Sequence, residues 1–264
     1  MSFQGKRVLA LESRRSAEMA ELIRKQGGDP FVAPAMREVP IPDDAEVFRF
    51  ADRLFAGGFD CMILLTGVGT RQLNRVLAPR YGETAFADAL RRIAVIARGP
   101  KPVAALREMA VTPAAVAGEP NTWRELLQVI EGRSENRIAV QEYGRSNPEL
   151  LAALRARGAE VTPVRIYQYG LPENPEPLRE AARRLAAGEF AIALFTTAVQ
   201  IANLAEVARD QNIEEQTLAA LRNCTVCSIG PTTTEALEEF EIHPALEPTH
   251  PKMGILVNEA ARLR

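Results

Sequence analysis

Phe59-Asp-Cys-Met-Ile-Leu-Leu-Thr-Gly-Val-Gly-Thr-Arg-Gln-Leu73 and Phe190-Ala-Ile-Ala-Leu-Phe-Thr-Thr-Ala-Val-Gln-Ile-Ala-Asn-Leu204 follow one pattern: an apolar run of strand length, a hydroxyl-bearing turn, then apolar residues at helical spacing. The second stretch lies 131 residues after the first and pairs Thr66 with Thr197 and Val68 with Val199. Two more blocks repeat on either side. Arg7-Val-Leu-Ala-Leu-Glu12 returns as Arg137-Ile-Ala-Val-Gln-Glu142 at a displacement of 130, carrying Arg15-Ser16 onto Arg145-Ser146 and Gly28 onto Gly158. Gly99-Pro100 returns as Gly230-Pro231 at 131, with Ala105-Leu106 matching Ala236-Leu237. Three blocks in order at a nearly constant offset indicate internal duplication.

Each block reads as strand, turn, helix. Residues 7–12 are a short apolar run, Ser13 to Ser16 form a polar turn, and Ala17, Ala20, Leu22 and Ile23 recur at helical spacing up to Gly27-Gly28. In the second copy Asn147 is a good N-cap and Pro148 suits the first helical position; Leu150, Leu151 and Leu154 form the buried stripe, and Gly158 ends the helix. Thr122-x-x-Glu125 and Thr232-x-x-Glu235 both read as capping boxes. Cys61 to Leu65 and Ile192 to Phe195 are continuous apolar runs, as expected of parallel strands covered on both faces. The alternation predicts an α/β fold with two doubly wound parallel-sheet lobes related by duplication.

A chain of 264 residues suits two such lobes. Pro34 to Pro42 and Pro163 to Pro177 are proline-rich and favour extended backbone over helix. Crossing between lobes at both places would build one from residues 1–36 with 169–264 and the other from 41–166, with linkers at 37–40 and 167–168. The alternative is a simple split near residue 132. Apolar residues make up 47% and charged residues 25%, ordinary globular proportions. Balanced charge, 32 Lys+Arg against 34 Asp+Glu, gives no basic field for nucleic acid or anionic lipid, so an anionic ligand must be held by local donors. Val8 to Leu11 is too short for a signal-peptide core or a membrane span, so a cytoplasmic protein is expected. Cys61, Cys224 and Cys227 make neither a disulfide framework nor a zinc ribbon and are expected to be buried free thiols, with Cys224 and Cys227 in one strand. With His243 and His250 the only histidines, no metal site is expected.

In an open parallel sheet, ligands gather beyond the carboxyl ends of the strands, where helix N-termini present unpaired N–H groups. The repeat places Ser13 to Ser16, Thr66 to Thr70, Arg98 to Pro102, Gly144 to Asn147, Thr196 to Gln200 and Gly230 to Thr233 there. Any one of these hydroxyls reads equally as a helix cap, and any glycine as a turn. Six such groups together point to carboxylate or phosphate recognition. Gly67-Val-Gly69-Thr-Arg-Gln72 fails as a dinucleotide loop, because Gln72 stands where a small residue must allow close packing. No P-loop, Ser/His/Asp array or H-E-x-x-H motif occurs. Tyr167 and Tyr169 fall at the second crossing, where a cleft between lobes would open; a phenol there is a weak proton donor. Ile166-Tyr167 reads as well as an amphipathic linker strand.

The order of motifs resembles the uroporphyrinogen-III synthase family over essentially the whole chain. The likeness is carried by the opening strand and helix around Arg15 to Gly27, by Val161-Thr-Pro-Val-Arg-Ile-Tyr167, by Phe195-Thr-Thr-Ala-Val199, and most specifically by Ser228-Ile-Gly-Pro-Thr-Thr233. The resemblance implies two lobes joined by a two-strand linker, with the first block swapped into the lobe built by the last two. It also implies a cofactor-independent lyase reaction of tetrapyrrole (haem, sirohaem, cobalamin or chlorophyll) biosynthesis. Linear hydroxymethylbilane loses water, ring D inverts through a spiro intermediate, and uroporphyrinogen III forms. Tyr167 matches the tyrosine proposed to assist departure of the hydroxyl. The substrate-binding set implied is Arg14, Arg15, Thr66, Gly67, Arg98, Lys101, Ser146, Thr197, Gly230, Thr232 and Thr233.

Two turns depart from the family pattern. Pro102 stands where a threonine is often found, with Arg98 and Lys101 as compensating partners for propionates, and Thr66-Gly67 replaces the commoner Thr-Ser. The ligand implied is a polycarboxylate tetrapyrrole, with no nucleic acid, membrane, metal or cofactor. A monomer is expected, with transient contact with the preceding pathway enzyme as the one protein encounter. The alternative is a non-catalytic bilobal tetrapyrrole-binding or sensor protein; a nucleotide-dependent enzyme is weakened by Gln72.

Overall fold

Apolar runs bounded by turn residues become short strands that pair in parallel within two large sheets. The computed structural model describes residues 2–41, 45–142, 144 and 146–263; Pro42 and Arg145 lie outside them. Along the chain come β1 (Arg7–Ala10), α1 (Ser16–Lys25) and β2 (Asp29–Val32). Next are β3 (Arg37–Pro40), α2 (Ala45–Phe55), β4 (Cys61–Leu64), α3 (Gly67–Tyr81), α4 (Ala85–Leu90), β5 (Ala94–Ala97), α5 (Pro100–Glu108) and β6 (Ala115–Val116). After them stand α6 (Trp123–Ile130), β7 (Arg137–Gln141), α7 (Pro148–Ala156), β8 (Glu160–Val164) and β9 (Tyr167–Gly170). The chain closes with α8 (Glu176–Ala186), β10 (Ile192–Phe195), α9 (Val199–Asp210), α10 (Glu214–Asn223), β11 (Thr225–Ser228), α11 (Pro231–Glu238) and α12 (Met253–Ala260).

Residues 1–37 with 170–264 make one unit, and residues 38–169 make the other. The chain leaves the first unit through β3 and returns through β9, which pair as a two-stranded sheet. The first unit's sheet runs β11-β10-β1-β2 and the second unit's runs β6-β5-β4-β7-β8. Under the repeat, β11, β10, β1 and β2 correspond to β5, β4, β7 and β8. Both sheets therefore share one strand order, and each takes strands from both copies. Register agrees as well: Val8 faces Ile192 in one sheet, and Ile138 faces Cys61 in the other.

Successive strand residues point to opposite faces, and helices cover both. Leu9, Leu11 and Phe195 pack with Ile201 and Leu204 on one face of the first sheet, while Val8, Ala10 and Leu194 pack with Leu256 and Val257 on the other. In the second unit Met62 and Leu64 meet Leu73 and Leu77, and Cys61 and Ile63 meet Leu150 and Leu154. Burial on both faces is why these strands read as continuous apolar runs.

Several local expectations form as read. Asn147 Oδ1 accepts the Leu150 amide at 2.9 Å, with Pro148 starting α7. Thr122 and Glu125 make a capping box on α6. Others differ. α1 buries Met19 and Ile23, one helical turn apart, and leaves Ala17 exposed. Thr232 is not a cap: Pro231 suits the first helical position and starts α11 upstream of it, with Gly230 as N-cap. Pro163 lies within β8, where the sheet edge leaves its missing N–H without consequence. Cys224 precedes β11 rather than lying in it. Among the described residues, no helix is long and apolar enough to cross a membrane.

All three cysteines are free, Cys61 and Cys227 buried and Cys224 half-buried. Burial pushes Cys61 and Cys227 up to about 12 and also raises Cys224. Thiolates are the reactive form, so a disulfide reagent at neutral pH is expected to find one slow thiol, Cys224, in native protein and all three after unfolding. Two fast-reacting native thiols would contradict this packing. At the amino end of β7, hydrogen bonding by Arg137 holds the Asp60 carboxyl below its ordinary value, against the opposing effect of burial. A depressed carboxyl stabilises the fold above the unfolded value of about 3.9, and that contribution is lost as pH falls through the folded value. Because the pair is partly solvated, Asp60→Asn is expected to lower stability by no more than about 1 kcal/mol at pH 7. The loss should vanish under strongly acidic conditions in urea melts.

Candidate functional site

Thr66 follows β4 and caps α3. Its hydroxyl oxygen accepts the Gly69 amide at 3.0 Å, and its own amide donates to Gln141 Oε1 at 3.1 Å. Tyr167, the first residue of β9, is buried and brings Oη to 3.2 Å from Thr66 Oγ1. Oγ1 already accepts one amide, so its single proton can be directed at the phenol oxygen. The phenol proton can then be given to a third group. The backbone here is tight: a Cβ at Gly67 would strike the Lys101 carbonyl, and one at Gly69 would strike the Gln141 carboxamide. Close backbone approach is made at Gly67 and Gly69, the two glycines of the motif that Gln72 bars from a dinucleotide loop.

Glu142 follows β7 and is 2% exposed. Its Oε1 accepts Ser146 Oγ at 2.6 Å and the Asn147 amide at 3.3 Å, and its Oε2 accepts Arg165 Nε at 3.3 Å. Glu142, Ser146, Arg165 and Tyr167 line a cleft of about 390 Å³ within the second unit, with Glu46, Arg49 and Gln168 on its walls. Two guanidinium groups face two carboxylates, so the cleft offers donors without a large net charge. Elsewhere on the carboxyl end of this sheet, Arg98 is half-buried and Lys101 is exposed in the first turn of α5. Gly99 caps α5 with no side-chain hydrogen bond, and Pro102 is buried.

The first unit repeats the carboxylate. Glu12 Oε1 accepts the amides of Arg14 at 2.9 Å and Arg15 at 3.1 Å, while Oε2 accepts Thr196 Oγ1 at 2.6 Å. The Arg15 guanidinium pairs with Glu18. Thr197 donates its amide to Gln200 Oε1 at 3.1 Å. Gly230, Thr232 and Thr233 form the start of α11, with Thr233 buried and its amide returned to the Gly230 carbonyl at 2.9 Å.

Thr66 and Tyr167 are thus brought into contact, with Ser146 at the same end of the sheet that holds β4 and β7. Arg14, Arg15 and Thr197 gather around Glu12 and Gln200, and Gly230, Thr232 and Thr233 stand together on a third turn. One expectation is corrected: the amides of Arg14, Arg15 and Asn147 are not open to an anionic ligand, because Glu12 and Glu142 already accept them. Strand-end turns must satisfy their N–H groups, and a carboxylate at a helix N-terminus does so favourably. Glu12 and Glu142 occupy equivalent places in the repeated block, a pattern that by itself carries no sign of their role as acceptors. Arg165 stood in the Val161 to Tyr167 block; Arg49 carried no sequence signal. Among the described residues, no cluster of His, Cys, Asp or Glu suits a metal ion.

A model of the family described as uroporphyrinogen-III synthase HemD matches residues 17–258. The chain belongs to the uroporphyrinogen-III synthase family. It is 31% identical over 265 residues to the uncharacterized protein YjjA of Bacillus subtilis (strain 168), covering 98% of this chain and 96% of that protein. A crystal structure of a mutant uroporphyrinogen III synthase from the extremely thermophilic bacterium Thermus thermophilus matches with a TM-score of 0.73 at 29% identity, over 97% of this chain and 98% of that one. The Helicobacter pylori 26695 uroporphyrinogen-III synthetase matches at 0.53 and 17% identity, over 98% of this chain and all of that one (100%), a likeness of fold alone.

Removing the buried acceptor tests how this family member holds its turn. Glu142→Ala strands donors from Ser146, Asn147 and Arg165 and is expected to cost about 1–3 kcal/mol in chemical denaturation. Glu142→Gln keeps an acceptor oxygen and should cost less than half as much. Equal losses would show that charge pairing with Arg165, not the hydrogen bonds, dominates.

Proposed function

We propose that this chain is a working uroporphyrinogen-III synthase that cyclises hydroxymethylbilane with loss of water and inversion of ring D. The observation that carries the reading is the Tyr167 phenol, backed by the Thr66 hydroxyl at 3.2 Å on the wall of a cleft. The substrate's terminal C–O bond breaks as its hydroxyl takes a proton from Tyr167 and leaves as water. The electron-poor methylene carbon left behind is attacked by the substituted carbon of ring D, giving the spiro intermediate. Reopening and reclosure invert the ring, and the ring proton lost at the end restores the phenol. No oxidant or reductant enters this balance. Thr66 steadies the phenol oxygen while its proton is away.

Geometry is the harder part of the task, since the open chain closes without inversion when left alone. Holding its ends is what selects the bond that forms. Arg49 and Arg165 in the cleft, and Arg98 and Lys101 beyond β5, are the cations proposed to engage propionates. A second reading, tetrapyrrole binding without turnover, is favoured by Glu12 and Glu142. They put carboxylates at two strand ends that a polycarboxylate ligand approaches.

Purified protein given fresh hydroxymethylbilane is expected to yield the type III isomer, resolved from type I by chromatography. Type I alone, together with tight binding of the product, would favour the second reading. Tyr167→Phe should lower kcat about 10²-fold, the lower end for general acid catalysis, while leaving the melting temperature nearly unchanged. Unaltered turnover would remove Tyr167 from the chemistry.

A further inference from the structure

Through the internal repeat, residues 69 and 141 of one unit correspond to residues 200 and 11 of the other. The first pair is Gly69 on α3 with Gln141 on β7; the second is Gln200 on α9 with Leu11 after β1. The glutamine has moved from strand to helix, yet it makes the same bond. Gln141 Oε1 accepts the Thr66 amide at 3.1 Å, and Gln200 Oε1 accepts the equivalent Thr197 amide at 3.1 Å together with that of Thr196 at 2.7 Å. Each carboxamide nitrogen donates to a carbonyl at a strand end, that of Glu142 or of Leu11. Gln141 is 0% exposed and Gln200 1%. A side chain at position 69 would occupy the space of the Gln141 carboxamide, so glutamine on the strand requires glycine on the helix.

A bond rebuilt from opposite sides marks the strand-end threonine amide as the object being held. We infer that Gln141 is a positioning residue for the cyclisation: it fixes the Thr66 backbone, whose hydroxyl fixes the Tyr167 phenol. The inference rests on Tyr167 acting as proposed above. It also means that the Thr66 and Thr197 amides belong to glutamines and are not N–H donors for a ligand.

Gln141→Leu is expected to lower kcat about tenfold, the scale of one hydrogen bond, with KM changed far less. In a Tyr167→Phe background it should lower kcat no further, because both act on one proton transfer; additive losses would overturn the inference. The reciprocal variant, Gln141→Leu with Gly69→Gln, copies the other unit and should restore most of kcat. Recovery of the melting temperature without kcat would make Gln141 merely structural and overturn the role. If Gln141→Leu does not fold, Gly69→Ala displaces the carboxamide and takes its place in the cycle. Amide hydrogen exchange at Thr66, read by NMR, needs no turnover. It should quicken in Gln141→Leu and slow again in the reciprocal variant, and unchanged exchange would overturn the inference. Wild-type protein yielding no type III isomer would instead defeat the functional reading, with exchange still deciding whether Gln141 holds Thr66.

Discussion

Parallel strands that stop beneath covering helices leave backbone N–H and C=O groups in places water barely reaches, and each such group needs a partner. This molecule meets that demand with a few long polar side chains. Glu12 and Glu142 take the amides that follow β1 and β7, and Gln141 and Gln200 take those that follow β4 and β10. Among the described residues, no buried side-chain nitrogen or oxygen lacks a hydrogen-bond partner. The consequence reaches the chemistry, because amides satisfied from within no longer serve an anionic ligand.

Duplication supplied two sheets of one strand order, but it did not supply two equal sites. The strands by which the chain leaves and re-enters the first unit begin with Arg37 and Tyr167, which correspond under the 130-residue displacement. Arg37 donates to the Leu171 carbonyl at 3.2 Å and serves the backbone. Tyr167 instead meets a threonine hydroxyl. Equivalent positions thus carry a backbone contact in one unit and a side-chain hydroxyl contact in the other, so a repeated scaffold holds two different local arrangements.

The same repeat shows how one physical need admits more than one sequence. Glutamine with glycine and leucine with glutamine hold the same amide because a carboxamide can reach it from the strand below or from the helix beside it. Neither pair is legible as a motif. Gly69 looked like half of a nucleotide-binding loop, and its real partner lies 72 residues away at Gln141. Pro102 is a similar case: it removes a hydroxyl expected of the family and fills a buried place in α5 instead.

The order of elements, the α/β class and the duplication could be read from the chain alone, because periodicity, caps and apolar runs are local signals. Asn147 with Pro148 and Thr122 with Glu125 are examples, each settled within four residues. Local reading missed by one or two residues where two starts competed, as at Thr232 behind Pro231. What tertiary structure alone decided is which polar atoms consume one another. Glu142 with Arg165, Gln141 with Thr66 and Tyr167 with Thr66 are joined across 23, 75 and 101 residues. A hydrogen bond depends on distances of a few tenths of an ångström between elements far apart in the chain, and no spacing in a sequence encodes that.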